Sequence, residues 1–172
     1  MRAITDDEYP SAASNGTTYR HYIGPKVDFE FGFGLSYTTF SYSRLLVPET
    51  VAPCDDVNIT VTVTNTGTVT SDEVVQVYAS LPDATVLAPR VRLVAYQRVR
   101  AIAPGASALL TLTVRPDSHA VVLDDGSSVY DADVVVEGGR LQLSVGGGQP
   151  NPHGGTVSAT VAVTKSSPLG RC

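Results

Sequence analysis

The chain has 172 residues and a net charge of −5, and it is 42% hydrophobic and 17% charged. These values are typical of one globular domain with an appendage and exclude a disordered chain. The negative charge argues against binding to nucleic acid or to an acidic membrane surface, and the apolar runs are far shorter than the roughly 20 residues that span a bilayer. We therefore predict no nucleic-acid partner and no membrane interaction.

The first 28 residues show no sustained hydrophobic period. The acidic run Asp6-Asp7-Glu8 and the polar stretch after it predict loop, and only residues 19–23 are expected to form a short extended piece. The start of the chain lacks the apolar segment of a signal peptide. This part of the sequence does not predict a domain of its own.

An aromatic cluster punctuated by glycine follows. Phe29, Phe31 and Phe33 alternate with residues that include Gly32 and Gly34, in a chain of which only 7% is aromatic. Glycine permits close backbone approach and positive φ, and phenyl rings supply large apolar area with few rotatable bonds. The combination is suited to a contact between domains.

Strand patterns occupy the rest of the chain. Phe40 and Tyr42 are expected on one face of the first strand, with Ser41 and Ser43 on the other. The clearest alternation is VNITVTVTN, in which the four residues Val57, Ile59, Val61 and Val63 are predicted to face a core, and Asn58, Thr60, Thr62 and Thr64 to face solvent. Further strands are predicted at 73–80, at 92–102 with a bulge, and at 108–114, 129–137, 141–145 and 156–163.

Turn residues separate these strands, at Asn65-Thr66-Gly67-Thr68, Pro104-Gly105 and Asp124-Asp125-Gly126. Seven or eight short strands without an intervening amphipathic helix indicate an all-β fold. We predict an antiparallel β-sandwich of the immunoglobulin or fibronectin type III kind, with a core spanning about residues 45–164.

The order of four motifs resembles the C-terminal part of glycoside hydrolase family 3 enzymes, the β-glucosidases and β-xylosidases. The motifs are GTTYRHYIGP (16–25), FGFGLSYTTF (31–40), VTVTNTGTVTSDEVVQVYAS (61–80) and RLVAYQRVRAIAPGASALLTLTV (92–114). Thr17, Ser71, Ala95 and Ala106 depart from the family pattern, and the stretches RPDSHAVVLDDG and VGGGQP lean toward its β-xylosidase branch.

The resemblance implies a division of the chain. Residues 1–44 would be the irregular end of an α/β sandwich domain, itself missing here, plus an interdomain linker; 45–165 would be a fibronectin type III-like domain and 166–172 a tail. Met1 would then lie inside a longer secreted enzyme. The upstream catalytic domains would be the partner of this chain, and they would bind the oligo- or polysaccharide substrate.

The same resemblance implies roles for particular residues. Phe31, Phe33, Tyr37 and Phe40 are expected to form the seam with the catalytic half, so the first three should be exposed in this chain. Three others, Tyr19, Arg20 and Tyr22, are expected to support the active-site side.

No catalytic residue is predicted within the chain. Retaining glycosidases need two converging carboxyl groups, and in this family both would lie upstream of Met1. The adjacent pairs Asp55-Asp56 and Asp72-Glu73 would point to opposite faces of a strand. The histidines, His21, His119 and His153, lack metal-ligand spacing, so neither a metal nor a cofactor is expected.

Two sequons make Asn15 and Asn58 candidate N-glycosylation sites. The two cysteines, Cys54 and Cys172, do not constitute a disulfide framework. A bridge between them would join the entrance of a strand to the last residue, and nothing in the sequence supports it.

Two alternatives stay open at this stage. The basic concentration Arg90, Arg92, Arg98 and Arg100 could form a sugar or nucleic-acid platform, although a sheet face that is covered or paired with acids is the plainer interpretation. The whole chain could also be a free-standing carbohydrate-binding or adhesion module.

Overall fold

A computed structural model of the protein describes residues 10–11, 14–25, 27–123, 134–150 and 155–172. Its elements in chain order are α1 (Thr18–His21), β1 (Phe40–Leu46), β2 (Thr50–Val51), β3 (Val57–Asn65), β4 (Ser71–Ser80), β5 (Arg92–Ile102), β6 (Ser107–Val114), α2 (Pro116–His119), β7 (Val121–Val122), β8 (Val134–Val136), β9 (Gly139–Gly146), β10 (Val157–Val163), β11 (Ser167–Pro168) and a 3₁₀ turn at Leu169–Arg171. Asp6-Asp7-Glu8, the turn at Asp124-Asp125-Gly126, the first half of the strand predicted at 129–137, and His153 lie outside the described residues.

Two main sheets make a sandwich. One has the order β1-β3-β6 and the other the order β2-β10-β9-β4-β5, with a small third sheet of β11-β8-β7 beside them. All pairings are antiparallel among the described strands except that of β2 with β10. The prediction of an all-β sandwich is confirmed.

The core lies between the inner faces of the two sheets. Strand β3 contributes every second residue, as its alternation predicts: Val57, Ile59, Val61 and Val63 are fully buried, and the residues between them are not. The facing sheet supplies the buried side chains Val75 and Val77 (β4), Leu141, Leu143 and Val145 (β9), and Val161 and Val163 (β10).

Strand β5 carries the predicted bulge. Its pairing with β4 shifts register twice, between Ser71 and Glu73 and between Val77 and Tyr78. Near the first shift Ala101 has φ of 53°, and its N–H donates to Asp72 Oδ1 at 2.9 Å. The side chain of Asp72 thus stabilises the irregular backbone of the neighbouring strand.

The β3–β4 turn is organised by a buried amide. Asn65 Nδ2 donates to the carbonyls of Val69 and Ile102, both at 2.8 Å, and Asn65 Oδ1 accepts from Thr38 Oγ1 at 2.6 Å. A Cβ at Gly67 would lie 2.2 Å from Thr38 Oγ1, so only glycine allows this approach. Asn65 therefore joins the turn to the residues that lead into β1.

The end of the chain is covalently joined to the sandwich. Cys54, in the β2–β3 loop, forms a disulfide with Cys172 across 118 residues of sequence. Ser167 and Pro168 pair with β8, and Leu169 packs against the core. The sequence left this bridge unsupported because the spacing of two cysteines says nothing about where the fold brings them.

The short piece around Tyr19 is not extended, contrary to the prediction. Thr18–His21 is a single helical turn, closed by the Tyr22 N–H donating to the Thr18 carbonyl at 3.0 Å. Thr18 enters it with φ of 58°. One turn is too short for a hydrophobic period to reveal it.

Candidate domain-docking site

The segment 27–38, called the linker from here on, lies against the outer face of strand β4. Gln76 Nε2 donates to the Gly32 carbonyl and to the Gly147 carbonyl, both at 3.0 Å. Tyr78 Oη donates to Gln76 Oε1 at 2.6 Å and lies 3.4 Å from the Phe31 carbonyl. One buried amide therefore joins the linker, β4 and the end of β9.

Glycine is required where the linker crosses Gln76. Gly32 has φ of 83°, and a Cβ there would lie 2.3 Å from Gln76 Oε1 and 2.5 Å from Tyr78 Oη. The Gln149 N–H adds a hydrogen bond to the Phe31 carbonyl at 3.1 Å. Gly32 of the aromatic cluster thus allows the close contact with the sandwich.

Aromatic rings extend this attachment toward α1. The rings of Tyr19 and Phe31 stack with centroids 3.9 Å apart and planes 7° apart, and both meet the Tyr78 ring edge-on. Tyr19 Oη also accepts from the Leu93 N–H at 3.1 Å. Aromatic pairs add about 0.5–1.5 kcal/mol each beyond the area that they bury.

The loop before β5 also holds α1. The Arg90 N–H donates to the Arg20 carbonyl at 2.9 Å, and the Arg90 guanidinium donates to the Tyr22 carbonyl at 2.6 Å. The three residues expected to support the active-site side (Tyr19, Arg20 and Tyr22) therefore sit against the sandwich. That role stays a prediction.

The linker exposes apolar side chains on both sides of Gly32. Phe31 is 44% exposed, Phe33 55%, Leu35 92% and Tyr37 93%. Phe40, in contrast, is half-buried and packs against the core at the start of β1. The structure thus separates the four predicted seam residues into three on the surface and one in the sandwich, and the seam itself stays a prediction.

An open cavity of about 390 Å³ lies between the linker and the ends of β9 and β10. At its edge Tyr42 Oη, from β1, donates a short hydrogen bond to Glu73 Oε1, from β4. Burial raises the pKa of the Glu73 carboxyl, although the hydrogen bond from Tyr42 acts in the opposite direction, and burial also raises the pKa of the Tyr42 phenol. The cavity is lined by Val27, Asp28, Glu30, Phe31, Phe33, Gly34, Ser36, Thr38, Phe40, Tyr42, Glu73, Gly147, Gly148, Gln149, Gly155 and Thr156.

Gln76 and Tyr78 did not emerge from the sequence as site residues. The sequence shows only that Gln76 and Tyr78 alternate with Val75, Val77 and Ala79, and the structure adds that all five positions are buried. A central strand with glutamine and tyrosine on its outer face needs a cover that can accept hydrogen bonds. The glycine-rich linker is that cover.

The basic concentration is dispersed rather than assembled into a platform. Arg98 pairs with Asp72 at 3.2 Å, Arg92 donates to the Ala120 carbonyl at 2.9 Å, and Arg90 holds α1 as described. Arg100 is exposed. The plainer interpretation, a sheet face partly paired with acids and partly covered, fits these contacts.

The remaining candidates are on the surface. Asn58 is exposed on β3, where its Oδ1 accepts from Thr113 Oγ1 at 2.8 Å, and Asn15 is exposed before α1. Glycosylation at either stays a prediction. Within the described ranges no group of three or more His, Cys, Asp or Glu side chains is placed to hold a metal ion, and no helix there is long and apolar enough to cross a membrane.

Comparison with known proteins gives the class first. The family model for the fibronectin type III-like domain matches residues 73–149, so the sandwich is a domain of that class.

The relatives give the family. The chain is 35% identical over 155 residues to a β-glucosidase of Rhizobium radiobacter. This alignment covers 84% of the chain and 17% of the β-glucosidase. The chain is 33% identical over 159 residues to a β-xylosidase of Formosa agariphila, covering 92% of this chain and 21% of the relative. A solved family 3 β-glucosidase of Bifidobacterium adolescentis superposes with a TM-score of 0.66 at 31% identity, covering 80% of this chain and 19% of that one.

The chain belongs to the fibronectin type III-like C-terminal region of glycoside hydrolase family 3 β-glucosidases and β-xylosidases. It spans about a fifth of the length of the curated relatives that it matches.

Proposed function

We propose that this chain is the accessory domain of a secreted, exo-acting β-glycosidase, of β-xylosidase or β-glucosidase type. In this role it braces the upstream catalytic domains, which hydrolyse O-glycosyl bonds, and it contributes no catalytic carboxylate. The observation that carries the proposal is the linker: Gln76 fixes its backbone to the sandwich, while Phe33, Leu35 and Tyr37 face outward. An apolar surface presented on a fixed backbone is suited to a permanent contact.

The carboxylates support an accessory role. Glu73 bonds to Tyr42 and Asp72 to Arg98, Asp83 forms a two-contact ion pair with Arg140, and Glu137 accepts from Thr85. These side chains belong to four different structural contacts. A retaining mechanism needs two carboxyl groups facing one bond, whereas each of these four is engaged in a separate contact.

The seam can be tested in a chimaera. The segment of the Rhizobium radiobacter β-glucosidase that aligns with this chain is replaced by this chain, and hydrolysis of an aryl β-glucoside and the Tm are measured. We expect an active chimaera that loses activity and Tm on Phe33→Ser with Tyr37→Ser, since a large aromatic at a contact contributes roughly 1.5–3 kcal/mol.

The matched control changes two exposed apolar residues away from the linker. Tyr96→Ser with Leu109→Ser, at sites 71% and 74% exposed, should leave activity and Tm unchanged. Equal losses in the two pairs would contradict the seam. The isolated chain should not hydrolyse aryl β-xylosides or aryl β-glucosides, and turnover that copurifies with it would overturn the accessory role.

A carbohydrate-binding module is the competing function. Its strongest support is the ring pair Phe29 and Phe33, exposed with centroids 5.3 Å apart. Those rings are tilted by 37°, which does not offer a sugar the flat platform that two coplanar rings would. Titration with xylo- and cello-oligosaccharides should give no saturable binding, and micromolar binding would favour the module.

The secreted location is supported by the Cys54–Cys172 disulfide, because disulfides persist in oxidising compartments. Expression of the chain in the cytosol and in the periplasm of the same bacterial host tests it. Thiol labelling should find free cysteines in the first preparation only, and a lower Tm should accompany them. Equal stability of the two preparations would remove this support.

A further inference from the structure

We propose that the free edge of strand β6 pairs with the same edge of a second copy of this chain, so that the β1-β3-β6 sheet continues across two copies. The inference goes beyond the proposed function and does not rest on it. The linker is fixed to β4, which belongs to the other main sheet. Three observations carry the inference: the backbone register of β6, the irregularities of the other edge strands, and the absence of charge along β6.

Strand β6 lies at the edge of its sheet. In the described part of the chain it pairs with β3 alone, and the antiparallel register runs unbroken from Val57 opposite Val114 to Thr64 opposite Ser107. The whole eight-residue strand takes part. The second edge of β6 therefore presents a long, regular row of peptide groups, which is a template for pairing with another strand.

The register shows which peptide groups face the free edge. The Asn65 N–H donates to the Ala106 carbonyl at 3.0 Å, so these two residues form a hydrogen-bonded pair. Along an antiparallel ladder such pairs alternate with pairs that are not hydrogen-bonded. Four residues of β6 therefore direct their N–H and C=O groups away from β3, and their side chains are exposed. They are Ser107, Leu109, Thr111 and Thr113.

The other long edge strands carry features that discourage pairing with another chain, such as charged side chains and bulges. Strand β1 has Arg44 at φ of 52° and a register shift between Ser43 and Leu46. Strand β5 has Arg98 and Arg100 exposed and two register shifts. Strand β6, with the sequence SALLTLTV, contains no charged residue, glycine or proline. It is the long edge strand left unprotected among the described residues.

The absence of charge favours a second copy as the partner. A strand that pairs with its own copy across a two-fold axis brings identical side chains close together, and like charges there would repel. Strand β6 has no charges, and the β3 residues beside it on the same face are also uncharged: Asn58, Thr60, Thr62 and Thr64. An identical strand therefore meets no repulsion, whereas a charged partner strand would find no counter-charge on this face.

One register uses all the outward peptide groups. It places Ser107 opposite Thr113 of the second copy and Leu109 opposite Thr111 of the second copy, with the reverse pairs by symmetry. Each of these pairs would exchange two hydrogen bonds. The side chains that meet are hydroxyl-bearing or aliphatic, and the β-branched threonines fit a pleated surface.

The test is sedimentation velocity of the 172-residue chain in a background of Leu35→Ser with Tyr37→Ser, which removes the linker as a source of association. Between about 1 µM and about 1 mM protein we expect a monomer–dimer equilibrium. The dissociation constant should be on the order of 10–100 µM, because one strand pair buries less area than a stable interface. Such a dimer dissociates at the nanomolar concentrations of a hydrolysis assay, so the chimaera tests the seam independently.

Two variants locate the contact. Thr111→Pro removes an outward N–H that β3 does not use, and it should raise the dissociation constant at least about tenfold. Leu109→Lys should do the same, because it brings like charges together. The lysine variant keeps every backbone group and stays informative if the proline variant does not fold.

The matched control is Ser43→Lys, which adds the same charge at an exposed position of β1 on the same sheet face. Its dissociation constant should equal that of the background protein. Equal weakening by Ser43→Lys and Leu109→Lys would overturn the proposal, since the effect would then come from net charge. A dimer that neither Leu109→Lys nor Thr111→Pro weakens would overturn it in favour of another surface.

Hydrogen exchange followed by NMR tests the edge itself. In dilute protein the amides of Leu109 and Thr111 should exchange rapidly, and in concentrated protein they should become protected, while Leu110 and Leu112, which bond to β3, are protected in both. Protection of Leu109 and Thr111 in dilute protein would overturn the proposal, because the edge would then be covered within one chain. A chain that stays monomeric over the whole range, or that grows beyond a dimer, would also overturn it.

Discussion

The linker and the tail (residues 166–172) both flank the sandwich, and they are held in different ways. The tail is joined by a disulfide, by strand pairing with β8 and by the packing of Leu169 against the core. The linker is held by hydrogen bonds at two places, Gln76 and Asn65. Between these places it exposes large apolar side chains, whereas none of the large exposed hydrophobic residues found in the described ranges falls in the tail.

This difference shows that attachment and coverage are separate properties. The tail is attached, and its apolar residue Leu169 packs against the core of the sandwich. The linker is attached through the Gly32 backbone, the Phe31 ring and the Thr38 side chain. Its side chains Leu35 and Tyr37 are left 92% and 93% exposed. Exposed apolar area of this kind is typical of a surface that contacts a partner, and the seam predicted here depends on that association.

The largest expected effect concerns the tail. Cys54→Ser with Cys172→Ser should lower the free energy of unfolding by about 2–4 kcal/mol, since the bridge closes a long loop in the unfolded chain. Urea denaturation with and without reductant measures this. Reductant should lower the stability of the wild-type protein to that of the variant and leave the variant unchanged; a wild-type protein insensitive to reductant would show that the tail is held without its disulfide.

Acid should weaken the side of the sandwich where α1 attaches. His119 is buried next to Arg92, its Nδ1 has no hydrogen-bond partner among the described atoms, and burial with the Arg92 charge lowers its pKa to about 4. The unfolded histidine takes up its proton near pH 6.5 and the folded one only near pH 4. Stability should therefore fall as the pH drops through this window, by roughly 2–3 kcal/mol.

The measurement is the Tm from pH 7 to pH 4 for the wild type and for His119→Gln. The variant should lose less Tm over this range, while Glu73, whose pKa is raised, contributes in the opposite direction in both proteins. Parallel curves for the two proteins would show that His119 does not cause the acid sensitivity.

Release of the linker should cost less. Gln76→Ala removes the donor to the Gly32 and Gly147 carbonyls, and a lost buried hydrogen-bond partner costs about 1–3 kcal/mol. The linker should then be cleaved faster in limited proteolysis, at sites within 27–38. The matched control is Gln142→Ala on the exposed face of β9, for which we expect no change in either measurement; equal cleavage of the Gln76 variant and the wild type would show that the linker is held elsewhere.

The smallest effect is expected at the exposed part of the linker. Leu35→Ser with Tyr37→Ser should change the free energy of unfolding by less than about 0.5 kcal/mol, whereas Phe31→Ser, which loses the stacking on Tyr19, should cost about 1–2 kcal/mol. Thermal unfolding compares them, and dynamic light scattering should show less self-association for the first pair. A large loss of Tm in that pair would place these side chains in the sandwich and remove the distinction between linker and tail.

The sequence by itself determined the longer strands, because a strand with one buried face and one exposed face alternates apolar and polar residues. Val57 to Val63 show this on β3, and the bulge in β5 was likewise visible as a broken alternation. The helical turn at Thr18–His21 was missed because four residues are too few to show a period. The motif FGFGLSYTTF predicts a contact between domains, because it combines glycines with large rings, and that contact stays a prediction.

Only the tertiary structure decided which partners these local features meet. Cys54 and Cys172 are neighbours because the tail returns to the β2–β3 loop, and Gln76 holds Gly32 because β4 is central in its sheet. The cavity beside Glu73 likewise exists only where the linker crosses the ends of β9 and β10. Contacts between residues far apart in sequence depend on how whole strands and loops pack against one another. A local sequence pattern does not predict that packing.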